Sequence, residues 1–363
     1  MAGIEARLTI DLGAIAANWR QLADAAPGRV AGVVKADGYG LGAAPVARAL
    51  LAAGCRDFFV AHLAEGMAVR AALGPDPMVA VLNGFPPGAD GTAGLVPVLN
   101  GLGDIAARTA AARVAGRALP AILHVDTGMA RLGLDAGELD RVAAEPGLLA
   151  GLDLLYVMTH LACADEPEHP LNAVQAARFA AARARLPAMP ASFANSSGLF
   201  LGPAFGSDLA RPGCALYGIN PTPGRPNPMR QTVTLDAPIL QIREIPAGET
   251  VGYGAGWTAP RPGRIATVAA GYADGYLRSL SGRAAGIIAG RPVPLVGRVS
   301  MDLITFDVTD VPELSPGDSI RLIGPDLIGP GQTPDDIAAR AGTIGYEILT
   351  SLGQRYRREY RGA

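Results

Sequence analysis

Lys35 closes an apolar run in "VVKADGYG", residues 33–40. An amine in that position is either a solvated cation or a chemical tool, and long cationic side chains most often serve solubility. Its neighbours favour chemistry. Glycines at 38, 40 and 42 let the backbone approach a ligand closely, and Tyr39, four residues on, carries a phenol that can point back toward the lysine. A second constellation is "RPGCALYG", residues 211–218, which sets Arg211 beside Gly213 and Cys214. The backbone N–H groups of those two residues are suited to a phosphate, as the last loops of a barrel often are. A lysine paired with a phosphate cradle suggests an aldehyde cofactor held as a Schiff base, pyridoxal phosphate.

Such residues need a scaffold that gathers them, and the first two thirds of the chain supply its rhythm. Eight short apolar runs, 29–35, 57–62, 78–83, 95–100, 121–126, 151–160, 191–196 and 208–218, alternate with alanine-rich helical stretches that end near Gly or Pro. Repeated βα units of this kind predict a (β/α)8 TIM-like barrel. Active sites in that fold collect at the C-terminal ends of the strands. Here those ends carry Lys35, His62, Asn83, Asn100, Asp126, His160, Ser196 and Arg211, an unusually polar set. Beyond the Pro-rich stretch before residue 231 the texture becomes strand-like, with helical signal returning only at "TPDDIAARAG". The expected domains are therefore a barrel over 1–230 and a mainly-β domain over 231–363, with residues 1–10 assigned either to the barrel or to a pairing with the β domain.

The 31 basic residues against 33 acidic ones point away from a nucleic-acid groove or a basic membrane face and toward a small-molecule partner. Three cysteines without C-x-x-C spacing argue against a disulfide framework and against a metal site. No signal-peptide pattern opens the chain, and no run of about 18 apolar residues occurs. A cytoplasmic protein is expected.

"VVKADGYG", "HVDTGMARLG", "THLACADE", "ANSSG", "RPGCALYG", "VGYGAGW", "GYADGY", "GRVSMD" and "GYE" follow the order and spacing of the alanine racemases, and essentially the whole chain resembles that family. The resemblance implies a pyridoxal-phosphate enzyme, a barrel followed by a β domain, that interconverts L- and D-alanine. It implies that Lys35 binds the cofactor aldehyde and then serves as base on one face of Cα. Tyr253, in the turn Gly252-Tyr253-Gly254, is implied as base on the other face. A proton must leave one face and return to the opposite one, so two flanking groups suffice where one would have to swing. A phenol is by itself a weak base, so nearby cations or hydrogen bonds must favour its phenolate. Spacing alone leaves Tyr272 of "GYADGY" as a rival; the resemblance puts it at the substrate entrance.

The resemblance further implies that Arg211 faces the pyridine nitrogen, with His160 orienting it. A guanidinium there keeps the nitrogen unprotonated and limits side reactions. Ser196, Gly213, Cys214, Tyr346 and Tyr39 are implied as phosphate ligands, and Arg131 with the backbone of Met301 as holders of the substrate carboxylate. Asp165, Arg278 and Arg298 would line the entrance with Tyr272. Two chains would pair head to tail, each site borrowing Tyr253 and Met301 from the other.

Two positions depart from the family pattern. His124 stands where many members carry a lysine that is carbamylated to give Arg131 a negative partner; either a bound anion such as chloride balances Arg131 here, or His124 positions it as a neutral acceptor. Leu41 replaces a frequent histidine near the phosphate region. A racemase for serine or basic amino acids and a non-catalytic pyridoxal-phosphate carrier are the alternative readings. A carrier would need neither Tyr253 nor Met301, and a decarboxylase of similar fold would protonate the ring nitrogen with a carboxylate where Arg211 stands.

Overall fold

A computed structural model of the chain describes residues 5–86, 88–89, 94–325 and 331–362. The chain forms two compact units, one of residues 15–230 and one of residues 1–14 with 231–363.

In the first unit the apolar runs become short parallel strands. β1 (Arg7–Asp11) belongs to the other unit; β2 (Arg29–Val30) and β3 (Gly32–Val33) are separated only by Ala31. There follow β4 (Asp57–Val60), β5 (Met78–Val81), β6 (Val96–Leu99), β7 (Leu119–His124), β8 (Leu152–Met158), β9 (Ala191–Ser192) and β10 (Leu209–Ala210). β3 through β9 pair in sequence order as one parallel sheet, and β10 pairs in parallel with β2. The N–H of Arg211 donates to the carbonyl of Ala194 at 2.8 Å, which joins the last strand to the chain leaving β9. Eight strand positions thus close on themselves. β4 and β6 are buried at every residue, as strands covered on both faces must be.

Helices Ala43–Ala53 and Leu102–Ala115 end on Gly54 and Gly116 in the left-handed region, where glycine carries no steric penalty. One apolar cluster packs Leu123, Val125, Leu139, Val157, Phe179 and Phe193 beneath the last helices.

Three expected strands fall furthest short of their apolar runs. Residues 208–218 are extended only at Leu209–Ala210, because Pro212 has no N–H to give a ladder and Cys214–Tyr217 turn into a 3-10 helix. Residues 191–196 are strand only at Ala191–Ser192. The first run stops at Val33, and Lys35 opens a left-handed turn instead of ending a strand.

The second unit is built on β11 (Val233–Ile245), β12 (Thr250–Val251), β13 (Trp257–Thr258), β14 (Gly263–Val268), β15 (Ala285–Ile288), β16 (Arg291–Pro294), β17 (Ile304–Asp307), β18 (Ser319–Ile323) and β19 (Arg357–Arg361). Its main sheet runs β16-β15-β18-β11-β1-β19, with β14 branching from β11 and β17 pairing with β14. β1 lies antiparallel to β11 and parallel to β19. The N-terminal strand is therefore part of the β unit.

Candidate active site at the strand ends

Lys35 is presented by an unusual backbone. Ala36, Asp37, Gly38, Tyr39 and Gly40 have φ of 53°, 53°, 63°, 55° and 80°, a complete left-handed turn. For a residue with a Cβ this costs about 1–2 kcal/mol, so the surroundings must hold it. Gly40 N–H donates to Ala36 O and Gly42 N–H to Asp37 O, both at 2.7 Å, while Ala43 N–H donates to Asp37 Oδ1 at 2.8 Å. The Glu65 carboxylate accepts from Ala36 N at 2.7 Å and from Ala61 and His62 N at 2.7 and 2.9 Å. It ties the lysine turn to the end of β4. Strain of this kind gathers at functional sites.

The turn buries Tyr39 against Tyr217, ring centroids 4.5 Å apart. The Tyr217 hydroxyl donates to Val33 O at 3.0 Å. A Cβ on Gly213 would lie 2.1 Å from Tyr39 Oη, so only glycine lets this phenol reach the last strand loop. Ser196 Oγ accepts from the N–H groups of Gly213 and Ala215 at 2.9 and 3.3 Å. Tyr39, Ser196, Gly213 and Cys214 thus converge as a set of hydroxyls and amides fit for a phosphate. Leu41 is fully buried, its N–H donating to Gly38 O at 3.1 Å.

Arg211, 4% exposed, donates through Nη1 to Ser192 Oγ at 2.5 Å and through Nη2 to the carbonyl of Thr159 at 2.6 Å. His160 Nδ1 is 3.4 Å from the same Nη2. Burial lowers the arginine pKa to about 10, so it stays protonated at neutral pH. Burial and then Arg211, Arg131 and Lys35 hold His160 well below its ordinary value, hence neutral. The Lys35 amine is lowered by burial first, then by Arg131, with Glu65 opposing and Arg211 adding. A lowered amine has more free base to attack an aldehyde or to take a proton.

Asp126 builds the loop after β7: Oδ1 accepts from Gly128 and Met129 N–H at 2.9 Å and Oδ2 from Ala130 N–H at 3.0 Å. That loop delivers exposed Arg131. His124, buried at the end of β7, donates from Nδ1 to Asn100 Oδ1 at 2.7 Å. Burial, Arg211 and Arg131 lower its pKa to about 4 against the pull of Asp126. Asp165 is exposed on the loop after β8.

The remaining expected residues lie in the β unit. Tyr253 is 71% exposed and Met301 53%. The Arg298 guanidinium packs over Gly254, within 3.2–3.3 Å of where a Cβ would stand, and so sets a cation beside the tyrosine turn. Tyr272 N–H donates to Ser300 O and Ala273 N–H to Met301 O, both at 3.0 Å, which brings the Tyr272 and Met301 segments together. Arg278 sits in a short 3-10 turn whose carbonyl accepts from Ser281 Oγ at 2.7 Å. Tyr346 is on helix Gly345–Ser351. Glu65, Ser192 and Gln175 carry much of the geometry and lie outside the motifs, while Thr159 only opens "THLACADE" and Asn100 stood out only as a polar strand end. Of the first three, Glu65 alone had a signal, three residues after His62 at a helix start.

A parallel barrel with a lowered amine leaving its first strand and an amide cradle after its last, followed by a mainly-β unit, defines a class: pyridoxal-phosphate enzymes of the barrel type. Comparison with known proteins narrows this. Family models described as "Alanine racemase, N-terminal domain" and "Alanine racemase, C-terminal domain" match residues 10–221 and 232–360. The chain is 59% identical over 353 residues to "Alanine racemase" of Acidiphilium cryptum, covering 97% of each. It is 52% identical to "Alanine racemase, catabolic" of Mesorhizobium japonicum, covering 99% of this chain and 94% of that one. A crystal structure of alanine racemase from Bartonella henselae with covalently bound pyridoxal phosphate superposes with a TM-score of 0.93 at 42% identity, covering 98% and 99%. The chain belongs to the alanine racemase family. Among the described residues, no helix is long and apolar enough to cross a membrane.

Proposed function

We propose that this chain interconverts L- and D-alanine through two bases, Lys35 and Tyr253, on opposite faces of the substrate Cα. The observation that carries the reading is the Lys35 amine, held on a left-handed turn and lowered by burial, Arg131 and Arg211. The residues present fit pyridoxal phosphate: an amine for its aldehyde, and Tyr39, Ser196, Gly213 and Cys214 for its phosphate, packed so tightly that a Cβ on Gly213 would strike Tyr39. When bound through its aldehyde carbon to an amine, this cofactor supplies the electron sink that acidifies the Cα–H bond.

Lys35 takes or returns the proton on one face and Tyr253 on the other. Arg211, held by Ser192 and Thr159 with neutral His160 at its edge, would present a fixed positive charge to the cofactor's ring nitrogen. Tyr346 joins the phosphate ligands. Arg131 and the backbone of Met301 bind the substrate carboxylate; Asp165, Tyr272, Arg278 and Arg298 line the approach. The exposure of Tyr253 and Met301 in the single chain supports a head-to-tail homodimer in which each site receives both from the partner. The reaction, placed in the cytoplasm, supplies D-alanine for peptidoglycan or L-alanine for catabolism, the direction following the supply of each enantiomer.

The test is inversion of single-enantiomer amino acids, alanine with serine and the basic amino acids, followed by chiral chromatography for wild type, Lys35→Ala and Tyr253→Phe. Inversion confined to alanine and lost in both variants is expected, with loss of the cofactor's visible absorption band in Lys35→Ala. Inversion of both enantiomers by Tyr253→Phe at the wild-type rate would sink the two-base scheme.

A further inference from the structure

Helix Pro170–Arg185 buries Asn172, Gln175, Phe179 and Ala182, positions that share one face. The apolar cluster takes Phe179 and Ala182. Gln175, 0% exposed, occupies a place on the same face where leucine would pack without a polar burden. A buried amide left unpaired costs about 1–3 kcal/mol, so its partners explain it. Nε2 donates to the carbonyl of His160 at 2.9 Å and to Thr127 Oγ1 at 3.1 Å, and Oε1 accepts from Ala162 N at 2.9 Å. None of these partners is on its own helix. Each lies on one of the two loops that follow β7 and β8.

The connection continues inward. Thr127 Oγ1 and Thr159 Oγ1 are 2.8 Å apart, and the carbonyl of Thr159 accepts from Arg211 Nη2 at 2.6 Å. One peptide unit along, the carbonyl of His160 is held by Gln175 while its ring meets the same Nη2. Arg178, also on this helix, donates to Thr127 O at 3.1 Å.

We infer that Gln175 is a positioning residue: by clamping the 159–162 backbone to the 127 loop, it fixes the Thr159 carbonyl and the His160 ring against Arg211 and thereby aims the guanidinium. The inference rests on the proposed role of Arg211 toward the bound cofactor. Its geometric part concerns this chain alone. Removing the clamp leaves Lys35 and the phosphate cradle in place but lets the arginine and its backbone acceptor drift apart.

The test uses the full-length protein with and without cofactor, in Gln175→Leu and Gln175→Glu. The second variant keeps the shape and the acceptor for Ala162 N but leaves at most one donor, the O–H of the protonated acid, and it stands in should the leucine variant not fold. With only four histidines in the chain, imidazole titration by NMR reads His160 in the apoprotein. Its titration is expected to move up toward the ordinary histidine range in both variants. In the loaded protein, kcat should fall roughly 10-fold with little change in KM, and the pH dependence of the visible band should shift. Added to Arg211→Lys, either variant should produce no further shift of that band, the signature of two residues acting as one unit. A His160 titration and band profile identical to wild type would overturn the inference, as would additive shifts in the double variant. A moved His160 titration with no visible band in any variant, wild type included, would uphold the clamp and remove the cofactor role of Arg211.

Discussion

His124 and Asn100 form a directed pair: Nδ1 of the histidine donates to Oδ1 of the asparagine at 2.7 Å, and the asparagine cannot turn. Its Nδ2 is spent on the carbonyls of Leu82 and Val98 at 3.0 and 3.3 Å. The proton therefore sits on Nδ1 and the lone pair on Nε2. A neutral ring with its acceptor free to face cations is what Arg131 and Arg211 require nearby, because a protonated ring would repel both.

From this pair follows a kinetic expectation. His124→Ala should raise KM for alanine several-fold if the ring positions Arg131, and Asn100→Leu, which frees the tautomer, should do so to a smaller degree. Steady-state rates in both directions, with and without added chloride, check this. Unchanged KM and kcat in His124→Ala would remove the positioning role and leave a bound anion as the partner of Arg131.

The same ring sets an acid limit on stability. His124 is lowered from 6.5 to about 4 by burial, Arg211 and Arg131, and His160 is likewise held well below its ordinary value by burial and the same two cations. Below the ordinary value the unfolded chain binds protons that the folded chain refuses, so stability falls as pH drops from about 6.5 toward 4. For His124 the full loss is on the order of 3 kcal/mol. His124→Asn should flatten the dependence of Tm on pH across that window by about one proton, measured by thermal melts at several pH values. An unaltered slope would show that the folded ring accepts a proton freely.

Gly213 offers a steric test of the phosphate cradle. Its φ of −118° is not one that demands glycine, so Gly213→Ala acts chiefly through the clash of the new Cβ with Tyr39 Oη at 2.1 Å and Cζ at 2.9 Å. Overpacking of this sort costs about 1–3 kcal/mol. Cofactor affinity of the apoprotein, followed by fluorescence, should weaken by about tenfold or more. Adding Tyr39→Phe removes the closest atom but leaves Cζ, so rescue should be partial. Wild-type affinity in Gly213→Ala would mean that Tyr39 moves aside at no cost.

The left-handed turn makes an inverted prediction for glycine. Ala36→Gly should leave Tm unchanged or raise it by up to about 1 kcal/mol equivalent, because the strain removed offsets the added freedom of the unfolded chain. Ala36→Val should destabilise by more than about 1–2 kcal/mol. Denaturant midpoints compare the two. Equal loss in both variants would contradict the φ of 53° at this residue.

The proposed head-to-tail dimer with shared sites predicts complementation. Lys35→Ala and Tyr253→Phe chains are each expected to lack racemisation alone. Refolded or exchanged together, half the dimers are mixed, and each mixed dimer holds one site with both bases, so about one quarter of wild-type activity should return. No recovery in verified mixed dimers would place both bases of a site on one chain.

Much of this protein was legible in its sequence. Alternating apolar runs define strands because a strand buried on both faces needs them, and glycine-marked motifs define where ligands approach, so the barrel, the β region and residues such as Lys35, Arg211 and Gly213 could be singled out. Hydrogen-bond direction and backbone handedness were not legible. "KADGY" reads as an ordinary Asp-Gly turn, yet Glu65 and the Asp37 side chain hold it left-handed across long stretches of sequence. "DLARPGCALYG" reads as a strand, and Pro212 ends it. Gln175 looks like a routine polar residue and Asn100 only like one more polar strand end; they matter through partners that only folding brings within 3 Å. The order of residue types determined which chemistry this chain can hold, because amines, phenols and glycines have fixed capacities. Tertiary structure alone decided which proton sits on which atom, since burial and facing charges are properties of the packed molecule.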